Sequence, residues 1–269
     1  GIVGGSYPAF YLSKFNPVNI LKGSLSKSSS NATLRRALVV IQFSISMIML
    51  ICTWVVYGQL KYLRNKDLGF NKEQVMNLSA NTNKDVRSSI LSFKNELRKN
   101  PEVLSVSTSR AVPGSGINFN IFSIETKNGF VDKGVDCYAI DEDYIKTLGM
   151  KMVKGRNFAG LADTLRRIIV NENMVKEYGW GDNAIGKKVK FPGDTSGNYL
   201  EVIGVVKDFN QKSLYNPIAP LILFYAPNND GLQLKLNAKN IPSTVASLEK
   251  TWKTIFPDLP FQYTFLDQD

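Results

Sequence analysis

"RRALVVIQFSISMIMLICTWVVYGQLKYLR", Arg35 to Arg64, decides how the rest of the chain is read. Leu38 to Tyr57 are twenty residues without a charge. At 1.5 Å rise per residue they span about 30 Å, the thickness of a bilayer's hydrocarbon core. A helix packed in a soluble core carries polar residues every three or four positions. Here the polar side chains are only Gln42, Ser44, Ser46 and Thr53. Ser and Thr hydroxyls can bond the carbonyl one turn back, so a helix in lipid tolerates them. A signal peptide needs a short basic start, about 7–15 apolar residues and a small-x-small cleavage site. Thirty-seven residues precede this run, and Tyr57-Gly58-Gln59 is no such site. The pattern predicts a transmembrane helix over 36–58; the alternative is a buried core helix.

The charge distribution follows the same division. The chain has 33 Lys and Arg against 23 Asp and Glu, a formal charge of +10. Residues 1–66 hold eight of the basic groups and no carboxylate. The remaining 203 residues therefore carry 25 basic and 23 acidic groups, which removes the nucleic-acid reading that the total charge suggests. Lys14, Lys22, Lys27, Arg35 and Arg36 precede the apolar run; Lys61, Arg64 and Lys66 follow it. The positive-inside rule puts the N-terminal side in the cytoplasm and the residues beyond the span outside. Cys52 lies in the apolar run and Cys137 in an expected strand, so no disulfide framework is implied.

Upstream, "GIVGGSYPAFYLSKFNPVNILKG" reads small and apolar until Lys14, as the tail of an earlier membrane helix (1–13) would. The Ser-rich "SLSKSSSNAT" belongs to a cytoplasmic connector over 14–35. Downstream, Leu60, Leu63 and Leu68 extend a helical face until Gly69. A strand is expected at "EQVMNLSA" and an amphipathic helix through Val86, Ile90, Phe93 and Leu97; "VLSVSTSRAV" follows as a second strand, making one β-α-β unit. The middle is dense in short strands: "NIFSIET", "VDCYAID", "KMVKGRNF", "RRIIVNE", "KKVKF" and "LEVIGVVKDF", interrupted by the short helix "NENMVKEYGW". Two more strands, the helix "IPSTVASLEKTWKTIF" and "FQYTFL" close the chain. The fold class expected is α+β: a transmembrane helix, then a two-subdomain domain over 59–269.

Each stretch that suggests chemistry has a plainer explanation. "GDNAIGKK", Gly181 to Lys188, approaches the phosphate-binding G-x-x-x-x-G-K-[ST] loop. That loop needs a magnesium-binding hydroxyl after its lysine and a helix behind it. Here Lys188 replaces the hydroxyl and a strand follows, so a tight turn is expected. Asp141 to Asp143, "DED", clusters carboxylates, but Asp141 is placed to cap a short helix. Asp163, Asp182, Asp194 and Asp208 are scattered among turns. Without histidine, the chain offers no Ser-His or Cys-His pair and no His-based metal site. The aromatics of "SLYNPIAPLILFYAP" are expected in core and turns. No catalytic, cofactor-binding or metal-ligating residue is assigned, and no enzyme is expected.

"RRALVVIQFSISMIMLI" resembles the start of a transmembrane helix in the MacB/FtsX-like permeases of ABC transporters, in the form common in Bacteroidota. Landmarks follow in order: "DLGFNKEQV", "VLSVSTSRAVPG", "DEDYIKTLGMKMVKGRNF", "IIVNENMVKEYGW", "AIGKKVKF", "VIGVVKDFNQKSLYNPIAPLIL" and "FQYTFLD". The resemblance implies a piece of a longer polytopic inner-membrane protein with a periplasmic MacB-like core domain over 59–269. Its porter-like part would come from about 70–135 and 206–269, and its β-rich insert from about 136–205. It further implies mechanotransmission: a separate cytoplasmic ATP-binding subunit drives a permease dimer, and the periplasmic domains move to export a substrate. Arg35 and Arg36 would anchor the span, and Pro17 to Lys22 would lie near the ATPase. A periplasmic adaptor or hydrolase and membrane lipid are the other implied partners; nucleic acid is not. The alternatives are an FtsX-like regulator of a cell-wall hydrolase and a single-span receptor with a ligand-binding ectodomain.

Overall fold

The computed structural model describes residues 29–79, 84–164 and 166–266. The expected helix tail over 1–13 and the connector as far as residue 28, including Pro17 to Lys22, lie outside them. The chain divides into two units, Gly1–Lys66 and Asp67–Asp269. In the first, α1 (Ser29–Asn65) runs for 37 residues, about 55 Å. Thr33–Leu63 is long and apolar enough to cross a membrane, and none of its most apolar window is buried. Phe43 is 73% exposed and Trp54 77%, which removes the buried-core alternative. Thr53 Oγ1 donates to Met49 O at 2.8 Å, the back-bond that lets a hydroxyl sit in lipid. Arg35 and Arg36 are exposed on α1. The helix runs on past the span through Leu60 and Leu63, as expected, and stops at Asn65, four residues before the expected stop at Gly69.

The second unit is built on two sheets. The first takes β1 (Val75–Ser79), β2 (Val103–Thr108), β10 (Gly231–Leu236) and β11 (Tyr263–Phe265) in the order β11-β1-β10-β2, all neighbours antiparallel. α2 (Lys84–Leu97) joins β1 to β2, and α5 (Ile241–Ile255) joins β10 to β11. β1 and β2 are thus parallel with β10 between them, so the expected β-α-β unit is present in split form, interleaved with a second. Both helices lie on one face. Met76, Leu78, Val106, Leu232 and Leu234 meet Ile90, Phe93 and Leu97 of α2 and Leu248 and Trp252 of α5. Phe93 and Trp252 pack edge to face at 5.3 Å. Each large side chain buried here stabilises by about 1.5–3 kcal/mol.

Between β2 and β10 the chain makes the second sheet. Its strands are β3 (Asn118–Thr126), β4 (Gly129–Ile140), β5 (Met152–Gly155), β6 (Arg167–Asn171), β7 (Lys188–Lys190), β8 (Leu200–Val206) and β9 (Leu221–Tyr225). The short helices α3 (Tyr144–Thr147) and α4 (Glu172–Glu177) follow β4 and β6. The order is β5-β8-β6-β9-β4-β3-β7, and β7 pairs back to β8. Six strands therefore close on themselves, while β5 extends the end of β8 beyond β7. All six supply the interior, among them Phe122, Val135, Ile168, Val189, Val202 and Ile222. Their alternate neighbours Ile169, Ile203, Leu221 and Leu223 form a second cluster with Tyr144 and Ile145 of α3, with Val75 of β1 and with Leu266 just past β11. Strands buried on both faces read as continuous apolar runs, which explains "RRIIVNE", "VIGVV" and "PLILFY".

The inserted sheet is larger than the expected 136–205: by strand membership it spans 118–225. β3 pairs along its whole length with β4, from Asn118 with Cys137 to Thr126 with Gly129, so it cannot belong to the flanking sheet. β9 likewise pairs with β4 and β6. Strand alternation tells which face is buried, not which sheet a strand joins. The folded unit also begins at Asp67, not at 59, because α1 occupies the residues between.

Candidate functional site

Where the two sheets meet, buried polar groups stand beside the apolar cluster that Val75 and Leu266 share with the inserted sheet. β2 ends at Thr108 and β4 at Ile140, and Ser109 pairs with Ile140 across the junction. Asp141 N donates to Thr108 O at 3.1 Å. Asp141 Oδ2 accepts from Thr108 N at 2.5 Å and from Lys94 Nζ of α2 at 2.6 Å. Both side chains are almost wholly enclosed, Lys94 at 5% exposure and Asp141 at 1%. Lys94 Nζ also reaches Asp143 Oδ2 at 2.7 Å, and Arg98 pairs with the same carboxylate. Ser105 and Thr147 share a hydroxyl contact of 2.5 Å between β2 and α3. Thr108 Oγ1 donates to Pro227 O at 2.7 Å, adding the loop after β9.

Burial pushes the Asp141 carboxyl up from its ordinary value, against the opposing pull of Lys94 and the Thr108 amide. Burial also works against Asp143, but there Lys94 and Arg98 outweigh it and the carboxyl is held down. Asp141 was expected to cap the helix at 144. Asp143 stands directly before α3 without a side-chain bond, while Asp141 supplies the capping contact in the turn that leads into it: its carbonyl accepts from Tyr144 N at 3.5 Å and its Oδ1 from Asp143 N at 3.1 Å. Its other oxygen is drawn inward by Lys94. Both carboxylates are thus engaged by cations, which leaves no poised general base. Among the described residues, no cluster of three or more His, Cys, Asp or Glu is placed to hold a metal ion.

The other sequence candidates fall elsewhere. Gly181–Asn183 is a single 3₁₀ turn, and Lys188 opens β7 instead of a helix. Glu125 takes Lys187 Nζ at 2.7 Å and Lys188 N at 2.9 Å, so the groups that would meet a phosphate are already bound. Asp163 is buried and receives both Arg156 guanidinium nitrogens at 2.8 Å, which hold its carboxyl below the usual range. Asp194 accepts from Ser196 N, and Asp182 pairs with Lys154 at the surface. Cys52 is exposed on α1, Cys137 is buried in β4, and neither is in a disulfide. A surface cleft of about 600 Å³ is lined by Arg166, Arg167, Lys188, Tyr199 and Glu201 among others, but Arg167 pairs with Glu201 and Lys188 lies over the Tyr199 ring at 4.9 Å.

Sequence reasoning missed Lys94, although a signal existed. Ile90, Phe93, Lys94 and Leu97 stand at i, i+3, i+4 and i+7, so Lys94 interrupts the apolar stripe of α2. A cation there needs a buried partner.

The model of the MacB-like periplasmic core domain matches residues 37–249. The chain belongs to that family. Its fold is similar to the periplasmic region of MacB from Actinobacillus actinomycetemcomitans, at a TM-score of 0.53 and 18% identity, over 76% of this chain and 94% of that one. Weaker likenesses are to the extracellular domain of the noncanonic ABC-type transporter YknZ from Gram-positive bacteria and to a domain of a putative permease from Porphyromonas gingivalis. The first has a TM-score of 0.47 at 15% identity and covers 71% of this chain and 98% of that one. The second has 0.45 at 13% identity and covers 71% and 88%. No curated protein matches the chain. A MacB-like domain behind an apolar helix makes this a membrane-anchored chain.

Proposed function

We propose that this chain is the membrane-anchored transmission part of an ABC-type permease. α1 crosses the membrane with its Arg35 and Arg36 end in the cytoplasm, and residues 67–266 lie on the periplasmic side. A separate cytoplasmic ATP-binding subunit supplies the energy, and two permease chains move together to export a substrate. The observation that carries this reading is the extent of the family match, which runs through the span and on into both sheets. The junction supports it. Packed protein is close to incompressible, so a satisfied, enclosed ion pair between two sheets passes displacement on instead of absorbing it.

The test is isolation of the intact parent protein from native membranes, with co-eluting proteins identified and ATP hydrolysis assayed. An ATP-binding subunit is expected to co-elute. A periplasmic adaptor beside it supports export, whereas a cell-wall hydrolase replaces export with regulation of the wall. A parent with one span and no ATPase overturns the proposal in favour of a ligand-binding receptor.

A further inference from the structure

The first five residues of the folded unit, Asp67 to Asn71, make more contacts than a connector needs. Asp67 Oδ1 accepts from Gly69 N at 2.9 Å, closing a tight turn. Its carboxylate stands 3.7 Å from Lys207 Nζ. Leu68 O accepts from Asn210 N at 2.9 Å. Gly69 has φ of +80°, and a Cβ there would lie 2.5 Å from Asp208 O and 2.7 Å from Phe209 Cα, so both the conformation and the space demand glycine. Phe70 meets the fully buried Phe209 edge to face, with centroids 6.5 Å apart. Asn71 N donates to Leu148 O at 2.8 Å, while Asn71 Oδ1 accepts from Lys235 Nζ of β10 at 3.2 Å.

The order of these contacts along the chain is the point. Within six residues of the end of α1 at Asn65, the chain is fastened to 207–210 and 148, which belong to the inserted part, first through Asp67 and then through the backbone of Leu68 and Asn71. Only then does it enter β1 of the four-stranded sheet. We infer that Asp67 to Asn71 are a positioning strut that delivers displacement of α1 to the inserted sheet directly, and not only through β1. A positive-φ glycine in a connector ordinarily suggests a hinge. Here backbone atoms of Asp208 and Phe209 press against Gly69, its own amide is bonded to Asp67, and the Leu68 carbonyl before it and the Asn71 amide after it are bonded too, so the torsions are held. The sequence landmarks "DLGF" and "VKDFNQ" are the two halves of this contact.

The inference rests on the transmission reading, and its test separates the two. In the intact parent complex in lipid nanodiscs, amide exchange is measured with and without a non-hydrolysable ATP analogue. Gly69→Val is expected to raise exchange at Asn71 and Asn210 by about tenfold or more, the ~1.4 kcal/mol of a lost backbone bond. It is also expected to abolish the nucleotide-dependent change in the inserted sheet, while the change in the four-stranded sheet persists. If the inserted sheet still responds after those two amides are freed, the strut is overturned and the transmission reading stands. A wild-type complex with no nucleotide response in either sheet overturns both. Should Gly69→Val fail to fold, Phe70→Ala loosens the same contact without backbone strain, and the same outcomes decide.

Discussion

Leu78 and Leu232 put one face of the four-stranded sheet under α2 and α5, while their neighbours Asn77, Gln233 and Ser107 line up across three strands on the other face. Gln233 Nε2 donates to Asn77 Oδ1 at 3.2 Å and to Ser109 O at 3.3 Å, and both Gln233 and Ser107 are buried. In the inserted sheet both sets of neighbours are apolar: Ile168 and Val170 face the interior, Ile169 the second cluster. The two sheets therefore bury strands by different means. One spends its second face on directional bonds, which fix how it meets its neighbour. The other spends both on non-directional contact, which holds it together but orients nothing.

The Lys94 pair is where this contrast can be broken most sharply. Lys94→Ala leaves Asp141 enclosed without its cation, a change that costs about 3–5 kcal/mol. Asp143→Asn removes a carboxylate that is 27% exposed, and costs about 1 kcal/mol or less. Urea unfolding of the detergent-solubilised chain measures both, and exchange at the Thr108 amide, bonded to Asp141 in the wild type, should rise in the first variant. Equal costs would mean that apolar contact alone holds the two sheets.

How much of this could be read in advance follows from the same contrast. The four-stranded sheet and its helices were legible element by element, because strands and helices with one buried face show period 2 or 3.6. The inserted strands were legible as strands too, but their membership was not. Runs such as "RRIIVNE" look alike whichever sheet holds them, and the closure of β7 onto β8 depends on two residue pairs, Lys188 with Glu201 and Val189 with Leu200. The junction was the least legible part. Asp141 and Asp143 were noticed as a cluster, yet Lys94 lies 47 residues upstream of Asp141, and its break in the apolar stripe of α2 shows that a buried partner is needed without showing which.

A second charge pair tests the inserted sheet by itself. Asp163 and Arg156 both lie between β5 and β6, so their bonds cross no junction. Hydrogen bonding and charge from Arg156 lower the Asp163 pKa from the ordinary 3.8. The sign follows from linkage: with a depressed folded-state pKa, the stabilisation is fully present above about pH 4 and is lost as pH falls through the lower value. Asp163→Asn should cost about 1–3 kcal/mol at neutral pH and flatten the acid limb of the unfolding profile. Exchange should rise around Ala159, whose amide donates to Asp163 Oδ2 at 2.7 Å, and stay unchanged at Thr108. A rise at Thr108 would show the two regions to be one cooperative unit.

The smallest effect concerns the outer side of the inserted sheet, where neither helix nor second sheet gives cover. Phe119 is 67% exposed and directly opposite Asp136, yet its ring leans diagonally over Gly134. Gly134 does not need a positive φ, so only the ring excludes a side chain there. An aromatic laid over a strand glycine shields backbone that would otherwise face water. Phe119→Ala should cost about 0.5–1 kcal/mol, and Gly134→Thr a similar amount, since an exposed ring can swing aside. The double variant should lose less than the sum, because threonine favours extended backbone once the ring is gone. A coupling of about 0.5–1 kcal/mol in that cycle would show that this surface is held by a cross-strand pair. Additive costs would leave the ring as ordinary exposed apolar surface, and the inserted sheet would then draw its stability from its two buried faces alone.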